Sequence, residues 1–506
     1  MSSLLYKNLI KPHLYNEKIF LIHDDDTTTS YKDFICLASQ IAHQLSELGL
    51  SAEDCLIVKS PKCKETLALY IASILTGSIY LPLNSSYTPT ETEYFIKDSN
   101  PSFVICEESE SDALKVICEE VNAKLITLNS DGTGDLTKDI NLFPEYYTPI
   151  NKDSDDLCAL LYTSGTTGKA KGAMLTHQNL FSNAKELVDL WEITGQDTLI
   201  HSLPIFHTHG LFVAINTSMI AGSSIRFIEG FNIDYIINSL NNSTLLMGVP
   251  TFYTRLLNDE RLSKELTKNM RLFISGSAPL LRETHENFEK ITGHKILERY
   301  GMTETNMNTS NPYKEERKAG SVGKPLKNIT VRVVNSENEK VLKSGEIGMI
   351  QVKGPNIFKG YLNMPDKTQE SFTKDGFFIS GDLGSFDEDG YLSITGRNKD
   401  LIISGGYNIY PKEIELLLDE QPGVMESAVI GLAHPDLGEV VVGILVAEKG
   451  ETPDLDDLSI IFRESLAKYK QPQILLIIPE LPRNTMGKVQ KNILRQEYKD
   501  VLMQLD

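Results

Sequence analysis

The stretch Tyr-Thr-Ser-Gly-Thr-Thr-Gly-Lys-Ala-Lys-Gly at 162–172 sets three glycines, four hydroxyl residues and two lysines in one loop. Glycine lets backbone N–H groups approach an anion closely, hydroxyls add donors, and lysines supply charge, so this composition suits a polyphosphate. It is not a Walker loop. That pattern needs four residues between a glycine and Gly-Lys-Ser/Thr, whereas only Thr166 and Thr167 separate Gly165 from Gly168, and Lys169 precedes alanine. Three further points could do chemistry: the Thr303-Glu304 pair, Asp382 in a glycine-flanked turn, and Lys488 in the loop Pro-Arg-Asn-Thr-Met-Gly-Lys. Each has an ordinary reading too, as a solvated turn, an Asx turn or a surface charge.

Arg299 needs a different account. It lies in Ile-Leu-Glu-Arg-Tyr-Gly, between a short apolar run and a glycine turn, and a guanidinium is seldom buried without an anionic partner. Either Glu298 or another internal acid pairs with it, or it receives an anion from outside. A second arginine, Arg255, falls on a helix expected after Pro250, where a surface salt bridge is an equal alternative. A planar guanidinium gives a carboxylate two parallel hydrogen bonds, and Ser277 adds a neutral donor. His209 reads as a packing histidine, and Met302 and Met307 as ordinary core fillers.

Short apolar strands alternating with amphipathic helices position these residues, the pattern of layered α/β folds. Strands are expected at 55–60, 101–108 and 158–164, with a helix over 90–100 between the first two. Thr176 is placed to cap a helix through the segment after it. The texture changes near Arg397 to a polar turn, a double glycine and a helix with Pro411 in its first turn. Strand, strand, helix, strand then follow as a small α+β unit. The expected division is therefore 1–398 and 399–506.

The chain has 506 residues, 41% of them hydrophobic, and a formal charge of −20. That charge argues against nucleic-acid and anionic-membrane surfaces, which need clustered bases, but leaves room for a small anionic ligand. Six cysteines (Cys36, Cys55, Cys63, Cys106, Cys118, Cys158) without a C-x-x-C pair fit a reducing compartment rather than a disulfide or zinc framework. No signal-type segment opens the chain and no apolar run is membrane-sized, so a cytoplasmic α/β protein is expected.

The loop at 162–172, with Ser-Gly-Ser-Ala-Pro (275–279), Tyr-Gly-Met-Thr-Glu-Thr (300–305), Ile-Ser-Gly-Asp-Leu-Gly (379–384), Gly-Arg-Asn-Lys-Asp-Leu-Ile (396–402) and Pro-Arg-Asn-Thr-Met-Gly-Lys (482–488), resembles the adenylate-forming superfamily of acyl-CoA synthetases, luciferases and adenylation domains. The resemblance implies a large N-terminal domain and a small mobile C-terminal one. It implies that Thr163, Ser164, Gly165, Thr166, Thr167, Gly168, Lys169 and Lys171 bracket the ATP phosphates. Ser277, Ala278 and Pro279 would line the adenine pocket with Glu298, Tyr300, Gly301 and Met302. Thr303 would meet the α-phosphate, and Glu304 would hold Mg²⁺, a hard cation suited to oxygen ligands. Asp382 would take the ribose hydroxyls beside Arg397. Lys488 would bridge the acyl carboxylate and α-phosphate. Lys399 would be the hinge, and Gly405, Gly406 and Tyr407 would form the CoA passage.

Around the acid, Leu-Pro-Ile-Phe-His-Thr-His-Gly-Leu-Phe (203–212) and Gly-Val-Pro-Thr-Phe-Tyr-Thr-Arg-Leu-Leu (248–257) resemble the malonyl-CoA synthetase branch. This implies that Arg255 and Arg299, with Ser277, bind the distal carboxylate of malonate or methylmalonate, and that His207, Thr208 and Met307 shape the pocket. The expected activity is ATP-dependent malonate–CoA ligation; a ligase for another short or dicarboxylic acid is the alternative. The chain ends 18 residues after Lys488, so no fused carrier domain is expected, and oligomeric state is left open.

Overall fold

Cys-Leu-Ile-Val-Lys forms a strand, Cys55–Lys59, buried at every position, as expected of a parallel strand covered on both faces. The computed structural model describes residues 3–163, 170–336, 338–404, 407–434, 437–484 and 488–501. That strand belongs to a seven-stranded sheet, with Phe103–Cys106 and Lys124–Thr127 parallel on one side and Ile79–Pro82 and Leu157–Thr163 parallel on the other. Lys171–Thr176 then pairs antiparallel with Leu157–Thr163, and Gly360–Tyr361 closes that edge.

A nine-stranded sheet carries the other half of the same unit. Leu297–Met302, Leu272–Ser275, Leu245–Gly248, Thr198–His201, Ser224–Phe227 and Ile19–Ile22 run parallel in that spatial order, with antiparallel strands at both ends. The helix Lys64–Thr76 is buried all round, the signature of a helix enclosed on every side. The expected helix after Thr176 spans His177–Leu190. Its cap is reciprocal: Asn179 N–H donates to Thr176 Oγ1 at 3.1 Å and Thr176 N–H to Asn179 Oδ1 at 2.9 Å.

Contacts divide the chain into two units, residues 1–331 with 352–378, and 332–351 with 379–506. The second contains a four-stranded sheet and a five-stranded one, in which Val424–His434 pairs antiparallel with Gly438–Ala447 and Ile474–Ile478 runs parallel beside it. Pro411–Asp419 begins at Pro411, as expected. Lys399 falls inside this unit, in the turn Asn398–Asp400. All six cysteines are free thiols, four of them buried. No helix among the described residues is long and apolar enough to cross a membrane.

Candidate active site

The glycine-hydroxyl loop leaves the seven-stranded sheet at Thr163 and re-enters it at Lys171, which face each other in the antiparallel register. Ser164, Gly165, Thr166, Thr167, Gly168 and Lys169 lie outside the described residues. Lys171 Nζ stands 4.2 Å over the Tyr361 ring, a cation–π contact. Burial lowers its pKa, and the charge of Glu304 opposes that shift. The Tyr361 hydroxyl donates to Glu304 Oε1 at 2.9 Å, so one aromatic side chain joins the loop's lysine to the buried carboxylate. Phe358 N–H donates to the Glu304 carbonyl at 2.8 Å and fixes its backbone. Glu304 suits Mg²⁺, which takes one or two carboxylates and completes its shell with phosphate oxygens and water. Among the described residues no three His, Cys, Asp or Glu side chains gather as a metal site, so substrate phosphates and water would supply most ligands. Thr303 precedes Glu304 in the turn between Leu297–Met302 and Asn306–Ser310.

Ser-Gly-Ser-Ala-Pro follows the strand Leu272–Ser275 and passes directly beneath Arg299. A Cβ added at Gly276 would lie 2.3 Å from Arg299 Cζ, so only glycine leaves the guanidinium its space. Ser277 adopts φ 73°, a left-handed conformation that is strained for a non-glycine residue and concentrated at functional positions. Its Oγ stands 3.4 Å from His209 Nδ1. Ala278 is half-buried and Pro279 exposed.

Successive residues of a strand point to opposite faces, which separates Glu298 from Arg299. Glu298 Oε1 accepts from Leu280 N–H at 3.2 Å on its own side. Arg299 is 3% exposed, and its Nε and Nη2 have no hydrogen-bond partner among the described residues. Burial pushes its pKa down to about 10, still well above neutrality, so the side chain is a buried cation. Arg255 is placed differently: exposed on the helix Pro250–Leu257, its guanidinium lies 5.0 Å over the Phe231 ring. Thr208 and Met307 are buried, with Thr208 Oγ1 unpartnered. The His207 ring packs 4.5 Å from that of Phe206. Met307 is held by Asn183, whose amide donates to its carbonyl at 2.8 Å and whose Oδ1 accepts its N–H at 3.1 Å. Tyr300 is buried, its hydroxyl 3.9 Å from Met302 Sδ; Gly301 packs against the Asn306 carbonyl.

In the second unit the strands Phe378–Phe386 and Leu392–Arg397 put Asp382 directly opposite Arg397, and Arg397 Nε meets Asp382 Oδ1 at 2.7 Å. Burial lowers the pKa of Lys399, with Asp400 opposing. Lys488 is exposed; its N–H donates to Asn484 Oδ1 and Asn484 N–H donates to its carbonyl, both at 2.9 Å. Tyr407 stacks on Tyr469 at 4.5 Å, while Gly405 and Gly406 lie outside the described residues.

The structure thus brings together Lys171 with Glu304, Asp382 with Arg397, and Arg299 with Gly276 and Ser277. Arg255 stands apart from that group, exposed and over the Phe231 ring. Two residues escaped the sequence: Tyr361, which joins Lys171 to Glu304 across the sheet edge, and His209, assigned to packing but found against Ser277. Neither carries a local signal, because both act through neighbours distant in the chain.

The AMP-binding enzyme family model matches residues 11–362, and the model of the AMP-binding enzyme C-terminal domain matches residues 413–488. A malonate–CoA ligase of Arabidopsis thaliana is 38% identical over 477 residues, covering 88% of this chain and 78% of that one. The mitochondrial malonate–CoA ligase of Bos taurus is 31% identical, covering 97% and 90%. Among solved structures, ATP-bound MatB from Rhodopseudomonas palustris superposes with a TM-score of 0.97 at 50% identity, over 99% of this chain and all of the other. The phosphate-loop flank, the buried carboxylate and the Asp382–Arg397 pair therefore stand in a chain that belongs to the AMP-binding enzyme family.

Proposed function

We propose that the protein is an ATP-dependent malonate–CoA ligase that also accepts methylmalonate. The observation that carries the acid's identity is Arg299, a buried cation whose Nε and Nη2 find no acceptor among the described residues. A buried charge without a partner is costly, and the second carboxylate of a short diacid relieves it. Similarity to malonate–CoA ligases supports the same reading.

In the first half-reaction a malonate oxygen attacks the α-phosphorus of ATP, the bond to the β-phosphate breaks, and pyrophosphate leaves with the electron pair. Thr163, Lys171 and the loop between them hold the β- and γ-phosphates, and Thr303 meets the α-phosphate. Ser277, Ala278, Pro279, Glu298, Tyr300, Gly301 and Met302 surround the adenine, and Asp382, oriented by Arg397, takes the ribose hydroxyls. Glu304 would hold Mg²⁺, which would supply neutralisation of phosphate charge. Lys488 stabilises the charge that builds between carboxylate and phosphate. In the second half-reaction the CoA sulfur attacks the acyl carbon, the bond to AMP oxygen breaks, AMP leaves and the thiol proton passes to solvent. Rotation about Lys399 exchanges Lys488 for the Tyr407 loop between the two steps. Arg255 is the outer reader of the distal carboxylate, and His207, Thr208 and Met307 bound the space at C2. The free cysteines support a reducing, cytoplasmic setting.

The test is pyrophosphate release with Mg-ATP and CoA across malonate, methylmalonate, succinate, acetate and octanoate. The expected result is a kcat/KM for malonate or methylmalonate at least a hundredfold above that for acetate. A preference for acetate or octanoate would leave the chemistry intact and make both arginines structural.

A further inference from the structure

The interior around Arg299 holds more unpaired polar atoms than its own guanidinium. His209 is 4% exposed and its Nε2 has no hydrogen-bond partner among the described residues, and the same holds for Thr208 Oγ1. Together with Arg299 Nε and Nη2, these buried atoms ask for a guest rich in acceptors.

The backbone that carries His209 is held from behind. Lys62 Nζ lies 2.8 Å from His201 Nδ1, and the Gly210 carbonyl, which can only accept, faces the other ring nitrogen. His201 Nε2–H therefore donates to the Gly210 carbonyl at 2.8 Å, and Nδ1 accepts from Lys62. A Cβ at Gly210 would lie 2.0 Å from the Pro204 carbonyl oxygen, so the chain turns here in contact with itself. His209 is therefore set before any ligand arrives. Burial, then the charge of Arg299 and the rings of His201 and His207, push its pKa well below the usual imidazole value, so it is neutral. Ser277 Oγ lies 3.4 Å from Nδ1 and can donate to it, the arrangement that leaves the single ring proton on Nε2.

We propose that His209 is a second reader of the substrate's distal carboxylate, its Nε2–H donating to one carboxylate oxygen while Arg299 holds the other. This rests on the dicarboxylate reading above and adds a residue to it. A neutral donor beside Arg299 keeps the buried charge matched to a single carboxylate, since Arg255, the outer reader, is exposed on its helix. Acetate, with a methyl in that place, leaves both donors unsatisfied, and a site built to hydrogen-bond a group rejects analogues that lack it.

The experiment measures kcat/KM for malonate and for acetate in the wild type, His209→Leu and His209→Gln, with thermal unfolding of each. The expected result is that His209→Leu loses at least tenfold more on malonate than on acetate, and that His209→Gln, which keeps a neutral N–H donor, recovers most of the difference. Should His209→Leu fail to fold, His209→Phe keeps a ring and removes the donor. Equal losses on both acids, or an unchanged malonate-to-acetate ratio, overturn the proposal. A wild type without preference for malonate overturns the dicarboxylate reading itself, whereas a selective wild type with selective donor-less variants overturns only the role of His209.

Discussion

At the scale of single residues, the functional question turns on a buried guanidinium whose Nε and Nη2 find no acceptor among the described residues. Arg299 has lost its hydration, and strand alternation has turned Glu298 away from it. Removing one partner of a buried pair is destabilising, but removing a buried charge whose Nε and Nη2 find no acceptor among the described residues is not. Arg299→Leu should therefore lower kcat/KM for malonate by at least a hundredfold, about 3 kcal/mol, while leaving the ligand-free Tm equal to or above that of the wild type. Differential scanning calorimetry with and without malonate checks it. A clear fall in the ligand-free Tm would mean that an internal partner had been missed. The sign with pH follows from the lowered pKa. The cost of the buried cation is fully present below about pH 10 and fades only as pH rises through that value, so the variant's advantage holds across the working range.

At the scale of elements, positions are set by strand ends and the turns that leave them. The parallel pairing of Leu272–Ser275 with Leu297–Met302 brings Gly276 under the guanidinium, and the missing Cβ is what lets Arg299 lie flat there. Gly276→Ala forces a methyl to within 2.3 Å of Arg299 Cζ, and overpacking of this kind costs about 1–3 kcal/mol. The expected outcome is a malonate kcat/KM reduced at least tenfold and a lower malonate-to-acetate ratio. Steady-state kinetics on the two acids checks it, and an unaltered ratio would show that Arg299 can move without consequence. The Asp382–Arg397 pair obeys the same logic, since an antiparallel register places the two residues face to face.

At the scale of the whole molecule, chemistry and thioester formation make different demands on one exposed lysine. Two hydrogen bonds tie the Lys488 backbone to Asn484, and its side chain stays exposed. If it serves only the first half-reaction, Lys488→Ala should reduce malonyl-adenylate formation by two orders of magnitude or more, about 3 kcal/mol, and thioester formation from supplied adenylate by less than threefold. Single-turnover assays of each half-reaction check it; equal losses would count against rotation about Lys399.

Much of this organisation is legible without coordinates. Buried strands announce themselves by unbroken apolar runs and the Thr176 cap by its hydroxyl before an amphipathic helix, because local propensity and composition decide those features, while the adenylate-forming chemistry is legible through the resemblance of motifs in fixed order to a known family. Chemistry type and fold class follow from the amino-acid order alone. Partnership does not. Whether Arg299 met an acid, whether Arg255 was exposed, that Tyr361 bridges Lys171 to Glu304, and that His209 faces Ser277 were decided only by tertiary structure, since each depends on which distant segments the sheets bring into contact and on which side of a strand each side chain falls.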